Sequence, residues 1–192
     1  MATIRAGSQA VLLIVDVQVG VMSGTWNAPQ VINNIATAVE KARAHNVPVI
    51  WVQHADDELV SGSADWQIVP ELSPAQDETQ IHKQFNSAFE QTELDNLLAQ
   101  MDTSHIVLAG AATNWCIRAT AYGTLERGYD LTLIEDAHTT MTMDLENGVK
   151  IDAQTLIREL NIAMTWLTYP GRVNSAVSID QIDFSKLIRP GN

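Results

Sequence analysis

The sequence predicts a three-layer α/β/α fold with a mainly parallel central sheet of five to six strands. Continuously apolar, β-branched segments such as residues 10–17 and 104–111 are typical of strands buried on both faces of a parallel sheet. These segments alternate along the chain with segments of helical periodicity. Strands connected through helices form right-handed crossovers, which place helices on both faces of the sheet.

The N-terminal half predicts three strands, one helix and one long loop. Residues 10–17 form the first apolar run. The sequence Asn-Ala-Pro then provides a helix start, and apolar residues at helical spacing predict a helix over about 29–46. A second apolar run covers 47–54, and the polar, glycine-bearing segment that follows it predicts a loop over the sheet edge. The short alternating run 79–83 predicts a third strand.

The C-terminal half continues the alternation of strands and helices. Thr92 is a candidate cap for a short helix. Small residues after 104–111 lead into a helix that ends near Gly128, a typical residue just past a helix C-terminus. The further predicted elements are a strand over 130–137, a helix around 144–160, a strand over 162–168 and a C-terminal tail over 172–192.

Composition sets the class of protein. A chain of 192 residues with 46% hydrophobic content can bury one core, so we expect a single domain over 1–192. No apolar stretch approaches the roughly 20 residues that span a membrane, and the first residues lack a leader-like apolar region, which predicts a cytoplasmic protein without a membrane partner. A net charge of −12 argues against nucleic-acid binding.

Three ionisable side chains are predicted at one edge of the sheet. Ligands bind beyond the carboxyl ends of the strands in open α/β sheets. Asp16 ends the first strand, Lys83 ends the third, and Cys116 lies in the first helical turn after 104–111. Cys116 is also the single cysteine, so it cannot form an intramolecular disulfide.

These residue types suit acyl transfer. The ammonium of Lys83 and the helix N-terminus would lower the pKa of the Cys116 thiol. Asp16 could accept the thiol proton and return it to the leaving group, while backbone N–H groups of the first helical turn could bind an oxyanion. Each residue also has an ordinary structural interpretation: a small core residue, a strand-end turn residue and a solvated lysine.

Three segments in order carry a family resemblance: LLIVDVQ (12–18), KQFNSAFEQTELDNLL (83–98) and LAGAATNWCIRATAYGTLERGYDLTLIEDA (108–137). The chain resembles, over about 10–170, the isochorismatase-like cysteine hydrolase superfamily, which includes nicotinamidases, ureide hydrolases and streptothricin hydrolase. The resemblance implies a catalytic triad of Asp16, Lys83 and Cys116 and a thioester on the cysteine. It also implies a small-molecule substrate and a homo-oligomer, either a dimer or a tetramer.

The resemblance also implies a cis peptide bond between Ala111 and Ala112, with the backbone N–H groups of Ala112 and Cys116 as the oxyanion hole. Nicotinamidases bind a metal through an Asp-x-His and a further histidine, whereas the corresponding segment here holds only His54. We therefore predict no metal and no cofactor.

The cysteine also bears on the reaction. Isochorismatases that cleave a vinyl ether lack a cysteine at this position, so Cys116 favours hydrolysis of a C–N bond in an amide, lactam or ureide. Residues 49–72 and 137–140 resemble the streptothricin-hydrolase-like branch, which makes a lactam one candidate. A vinyl-ether hydrolase and a non-catalytic binding protein of the same fold are the alternatives.

Candidate substrate contacts are polar and aromatic residues that lie close to the triad in sequence. Core packing is an equal alternative for the aromatic members, and a structural hydrogen-bonding role is the alternative for His54. The candidates are Gln18, Trp26, His54, Phe89, Trp115 and Tyr122.

Overall fold

The centre of the protein is a six-stranded parallel sheet, described by a computed structural model over residues 2–188. Its strands are β1 (Gln9–Val15), β2 (Val49–His54), β3 (Thr79–Lys83), β4 (Thr103–Ala111), β5 (Asp130–Thr139) and β8 (Asn174–Val177). They lie in the order β3-β2-β1-β4-β5-β8, and every neighbouring pair is parallel. The predicted α/β fold and its parallel sheet are confirmed.

Helices and short elements connect these strands. The helices are α1 (Val19–Met22), α2 (Ala28–Ala44), α3 (Leu94–Gln100), α4 (Arg118–Glu126) and α5 (Ala153–Trp166). A π-helical turn over Thr113–Ile117 precedes α4, and a two-stranded antiparallel ribbon of β6 (Met143–Asp144) and β7 (Lys150–Ile151) precedes α5. Two 3₁₀ turns, Ile179–Gln181 and Phe184–Lys186, follow β8.

Alternation along β1 shows how the sheet is covered on both faces. Leu12 and Ile14 pack in one apolar cluster with α2 residues such as Ile35, whereas Leu13 and Val15 pack in the opposite cluster, which α3, α4 and α5 supply. All four of these β1 residues are at most 1% exposed. A strand buried on both faces has a continuous apolar sequence, which is why the sequence predicts it well.

The C-terminal third differs from the prediction in three places. The predicted helix around 144–160 begins only at Ala153, because β6 and β7 occupy the first part of that segment. The segment 162–168, predicted as a strand, contains the end of α5, in which Ile157, Leu160 and Met164 are buried at helical spacing. The start of α5 is fixed by the Asp152 carboxylate, which accepts a hydrogen bond of 3.1 Å from the Thr155 N–H. The predicted strand is therefore wrong, because one apolar side of a helix resembles a short buried strand in sequence.

The sixth strand lies inside the segment 172–192 that the sequence predicts as a tail. Its residues, 174–177, pair with β5 at the sheet edge and are all partly exposed. An edge strand of this kind lacks the apolar run that marks the inner strands. The last residues of the predicted tail, 189–192, lie outside the described residues.

Gly110 in β4 lies against the backbone of β1. Its φ is +130°, and a Cβ atom there would lie 1.9 Å from the carbonyl oxygen of Val15. We expect Gly110→Ala to lower the free energy of unfolding by about 3 kcal/mol or more, because a strained φ and a backbone clash add together. Denaturant unfolding at equilibrium measures the loss.

A matched glycine provides the control for that experiment. Gly62 also has a positive φ, +85°, but nothing lies within 4 Å of the position that a Cβ atom would occupy. We expect Gly62→Ala to cost only about 1–2 kcal/mol, the ordinary penalty of the left-handed conformation. Equal losses at the two positions would contradict the close approach of β4 to β1.

Candidate active site

Three strand ends bring Asp16, Lys83 and Cys116 together. Asp16 directly follows β1, Lys83 is the last residue of β3, and Cys116 lies in the π-helical turn after β4. The Lys83 Nζ donates a hydrogen bond of 2.6 Å to Asp16 Oδ2 and one of 3.2 Å to Cys116 Sγ. The ammonium therefore bridges a carboxylate and a sulfur that are 100 positions apart in the chain.

The cluster is closed off from solvent. Asp16 and Lys83 are each 2% exposed and Cys116 is 9% exposed. Asp16 adopts a left-handed backbone conformation with φ 53°, uncommon for a residue other than glycine, and its Oδ1 is buried without a hydrogen-bond partner. Strained backbone of this type is concentrated at functional sites.

Each of the three ammonium protons of Lys83 has a hydrogen-bond acceptor. Besides Asp16 and Cys116, Nζ lies 3.4 Å from Nδ1 of His54. Because an ammonium can only donate, Nδ1 accepts this hydrogen bond, and Nε2 donates to the Asp56 carboxylate at 3.0 Å. His54 thus contacts the cluster through Lys83. This geometry fits a structural hydrogen-bonding role and leaves a direct substrate contact as a prediction.

Burial is the largest influence on the pKa of the Asp16 carboxyl and on that of the Cys116 thiol. Burial raises the pKa of Asp16, against the opposing effect of Lys83. Burial and the adjacent Asp16 carboxylate raise the pKa of Cys116 to about 12, while Lys83 opposes them. Lys83 thus lowers the pKa of Cys116, as the sequence predicts, but burial and Asp16 outweigh it, so the net shift is upward. At neutral pH the site holds a thiol rather than a thiolate.

Asn86 is a site residue that the sequence interpretation does not select. The Cys116 thiol donates to Asn86 Oδ1 over 3.9 Å, a long contact of the kind that sulfur makes. Asn86 lies in the loop after β3, inside the segment 83–98 that carries part of the family resemblance. Its place in that segment is the one signal in the sequence that could have found it.

One carbonyl group accepts two hydrogen bonds from the turn that carries Cys116. The Ala112 oxygen accepts hydrogen bonds from the N–H groups of Trp115 at 3.1 Å and Ile117 at 3.2 Å. The peptide bond between Ala111 and Ala112 is cis, as the resemblance implies. The role of the Ala112 and Cys116 N–H groups as an oxyanion hole stays a prediction.

Gln18 ties the end of β1 to the end of β2 and to the loop after it. Its Nε2 donates to the carbonyl oxygens of His54 at 3.0 Å and Trp66 at 2.9 Å, and its Oε1 accepts from the His54 N–H at 2.8 Å. The side chain is fully buried. These three bonds use its amide to hold the backbone around the site.

We expect Gln18→Ala to lower the free energy of unfolding by about 1–3 kcal/mol, because it leaves buried backbone groups without partners. Gln53→Ala is the matched control, since Gln53 donates a single bond, to the Trp66 carbonyl at 3.0 Å, and should cost less. Thermal or denaturant unfolding measures both. A Gln18→Ala variant of native stability with a raised KM would instead indicate a substrate contact.

The aromatic candidates divide into core and surface residues. Phe89 is 5% exposed and stacks on Tyr129 with ring centroids 6.3 Å apart, so it belongs to the core. Tyr122 packs against the same core cluster. Trp26 and Trp115 are 40% and 53% exposed. The two tryptophans therefore remain available for contact with a ligand.

Two cavities flank the cluster along the sheet edge. One of about 190 Å³ lies beyond β1, β4 and β5, and its lining includes Val21, Ala112, Trp115, Met141 and Met143. The other, of about 320 Å³, lies beyond β2 and β3, and its lining includes Lys83, Gln84, Phe85 and Gln91. The first is largely apolar and the second is more polar.

Residues 2–188 contain neither a metal-ligand cluster nor a membrane-spanning helix. No group of three or more His, Cys, Asp or Glu side chains within this range is arranged to hold a metal ion. None of the helices α1 to α5 is long and apolar enough to cross a membrane.

Fold and site together define a parallel α/β protein with a buried cysteine, lysine and aspartate beyond its strand ends. Residues 10–155 match the family described as the isochorismatase domain, and the chain belongs to this family. Its fold is that of an isochorismatase-family hydrolase.

Curated relatives share moderate sequence identity with the chain. The chain is 30% identical over 152 residues to YrdC, an uncharacterized isochorismatase family protein of Bacillus subtilis. The aligned region covers 76% of this chain and 81% of that protein. It is 28% identical over 148 residues to streptothricin hydrolase of Streptomyces noursei. That aligned region covers 72% of this chain and 57% of that protein. The crystal structure of a cysteine hydrolase from Pseudomonas syringae superposes with a TM-score of 0.82 at 20% identity, covering 93% and 92% of the two chains. At that identity the similarity concerns the fold.

Proposed function

We propose that the chain is a cysteine hydrolase that cleaves a C–N bond of a small molecule through a thioester on Cys116. The observation that carries the proposal is the buried Lys83 ammonium, which donates to both Asp16 Oδ2 and Cys116 Sγ. A thiol packed only as a small core residue would not need a buried ion pair beside it, because burying two charges is costly.

Acylation begins with a proton transfer. The thiol proton of Cys116 moves to Asp16 as the sulfur forms a bond to the substrate carbonyl carbon. Asp16 suits this step because burial raises its pKa, which makes the carboxylate a better base than an exposed one. Its Oδ1, which is buried and without a partner, is the free acceptor. Lys83 stays protonated and stabilises the developing negative charge on sulfur.

The C–N bond breaks next, and water completes the cycle. The proton on Asp16 passes to the leaving nitrogen, which departs as an amine or ammonia and leaves the acyl group on sulfur. Asp16 then takes a proton from water while the water oxygen bonds to the thioester carbon. The C–S bond breaks, the acid is released, and the proton returns to the sulfur.

Stabilisation of the oxyanion is assigned to the backbone. We place the carbonyl oxygen of the substrate at the N–H groups of Ala112 and Cys116, where the turn begins. Backbone donors fixed before the reaction stabilise a tetrahedral intermediate without having to reorganise.

The flanking cavities support a small substrate. Volumes of about 190 and 320 Å³, one cavity lined in part by Lys83 and the other by Ala112 and Trp115, fit groups of a few to about a dozen heavy atoms. The relative named streptothricin hydrolase makes a lactam one candidate, beside amides and ureides.

The assembly is proposed to be a homo-oligomer, in line with the family resemblance. Exposed apolar side chains line the smaller cavity, among them Trp115 and Met141, and the exposed Trp26 directly follows Thr25 of the same lining. Large exposed apolar groups are enriched at protein interfaces. Light scattering coupled to gel filtration gives the mass: a dimer or tetramer agrees, and a monomer at micromolar concentration contradicts this assignment.

Product analysis tests the reaction. Wild-type protein is incubated in ¹⁸O-labelled water with a panel of small amides, lactams and ureides, including streptothricin, and products are identified by mass spectrometry. We expect one substrate to release a free amine or ammonia and to gain one ¹⁸O atom in the acid. Turnover of vinyl ethers alone, or of none of the C–N compounds, would contradict the proposal.

A further inference from the structure

His138 is a buried ionisable side chain that the proposed mechanism does not use. It lies in β5 opposite Gly110 of β4 and is 1% exposed. Its two ring nitrogens have different partners: Nδ1 lies 2.8 Å from Thr113 Oγ1, and Nε2 lies 2.8 Å from Asn161 Oδ1. The ring therefore connects the turn that carries Cys116 to helix α5.

The partners define the direction of each hydrogen bond. The Asn161 amide nitrogen donates to the Glu135 carbonyl at 3.0 Å, so the oxygen of that amide faces His138 and can only accept. His138 must then carry its proton on Nε2. Burial lowers the pKa of His138 to about 4, so the ring is neutral at pH 7 and Nδ1 presents a lone pair. The Thr113 hydroxyl consequently donates to Nδ1.

Thr113 links the hydrogen bonds of His138 to the proposed site. It is the first residue of the π-helical turn over Thr113–Ile117, is fully buried, and immediately follows Ala112. The Ala112 carbonyl is already held by Trp115 and Ile117. The bond from Thr113 to His138 anchors the start of the same turn to β5.

We propose that His138 is a positioning residue, which accepts a hydrogen bond from Thr113 and so fixes the turn that carries Cys116 and the Ala112 N–H. This inference rests on the proposed function of that turn in hydrolysis. His138 touches no reacting atom, and its effect passes through Thr113. Small displacements of a reacting group are costly, since about 1 Å can lower a rate by about 10²-fold.

Two substitutions of His138 distinguish the roles of its two ring nitrogens. Asparagine at this position places its oxygen where Nδ1 lies, so His138→Asn keeps an acceptor for Thr113. Glutamine places its amide where Nε2 lies, so His138→Gln keeps a donor to Asn161 but loses the acceptor. Both variants leave a space in the core and should lose comparable stability. Each variant breaks one of the two hydrogen bonds, so their difference compares the Thr113 bond with the Asn161 bond.

We expect His138→Gln to lower kcat about 10- to 100-fold with KM changed less than twofold, and His138→Asn to keep kcat within about threefold of wild type. Thr113→Val should lower kcat by a similar factor, and Thr113→Ser should retain activity. The double variant Thr113→Val, His138→Gln should have a kcat no lower than that of either single variant. Equal kcat values for His138→Gln and His138→Asn would overturn the proposal.

Alkylation of Cys116 by iodoacetamide provides a readout that needs no substrate. We expect its rate constant to change in His138→Gln and Thr113→Val and to stay near the wild-type value in His138→Asn and Thr113→Ser. An unchanged rate in all four variants would overturn the positioning role even if no substrate is found. Failure of the proposed function shows itself separately, as absence of C–N cleavage by the wild-type protein.

Discussion

Replacing Cys116 with serine is expected to lower kcat/KM for the best C–N substrate by about 10⁴-fold or more. The hydroxyl of serine keeps the approximate size of the side chain, but its proton is far less acidic than that of a thiol, and the Asp16 carboxylate is too weak a base to remove it. Loss of a nucleophile in hydrolases of this kind typically removes most of the rate acceleration. Initial rates with wild type and Cys116→Ser under saturating and limiting substrate measure the effect.

The fold should be nearly unaffected by that change. Cys116 is 9% exposed and the substitution removes little volume, so the midpoint of thermal unfolding is expected to stay within a few degrees of wild type. Cys116→Ala serves as the second variant and should be equally inactive. If Cys116→Ala retains activity, the sulfur is not the nucleophile, and the vinyl-ether alternative gains support.

Replacing Asp16 with asparagine is expected to lower kcat/KM by about 10²- to 10⁴-fold, the usual contribution of a general acid and base. The same change should move the pKa of the Cys116 thiol downward. In the wild-type site the Asp16 carboxylate is one of the groups that raise this pKa to about 12, and the neutral amide removes that charge while Lys83 remains. Loss of turnover would then accompany a more acidic thiol.

Alkylation of the single cysteine as a function of pH measures this shift. Wild-type Cys116 should titrate far above the ordinary thiol pKa of about 8.5, Asp16→Asn should titrate below wild type, and Lys83→Met should titrate no lower than wild type. A wild-type thiol that titrates near 8.5, unchanged in both variants, would contradict the electrostatic description of the site.

The pH dependence of turnover has a defined sign. Asp16 must be ionised to accept the thiol proton, and burial raises its pKa above the ordinary value of about 3.9. We therefore expect kcat/KM to fall with decreasing pH at a higher pH than an exposed carboxyl would produce. The residual activity of Asp16→Asn should lack this acid limb.

Much of the fold follows from burial patterns in the sequence. Strands β1, β2, β4 and β5 are rich in apolar residues because they are covered on both faces, and the sequence also predicts short β3. Strand β8 escapes prediction because an edge strand has no such pattern. The prediction of a strand over 162–168 is wrong because a short apolar run alone does not separate a strand from one side of a helix.

The site could be predicted in position but not in its electrostatics. The ends of parallel strands identify Asp16, Lys83 and Cys116 as neighbours, because the topology fixes where strand ends meet. The pKa of Cys116 depends on how deeply the cluster is buried, which spacing does not reveal. Asn86 and His138 make their contacts with distant segments, so spacing alone does not identify them, although both lie in segments that carry the family resemblance.

Mass spectrometry of the protein quenched during turnover tests the central claim most directly. The wild-type chain is mixed with its best substrate, quenched with acid within one turnover and digested for peptide mapping. We predict a mass increase equal to the acyl group minus one hydrogen, located on the peptide that contains Cys116 and absent from Cys116→Ser. Turnover of that substrate with no adduct on this peptide at any quench time, and with undiminished activity in Cys116→Ser, would contradict the claim.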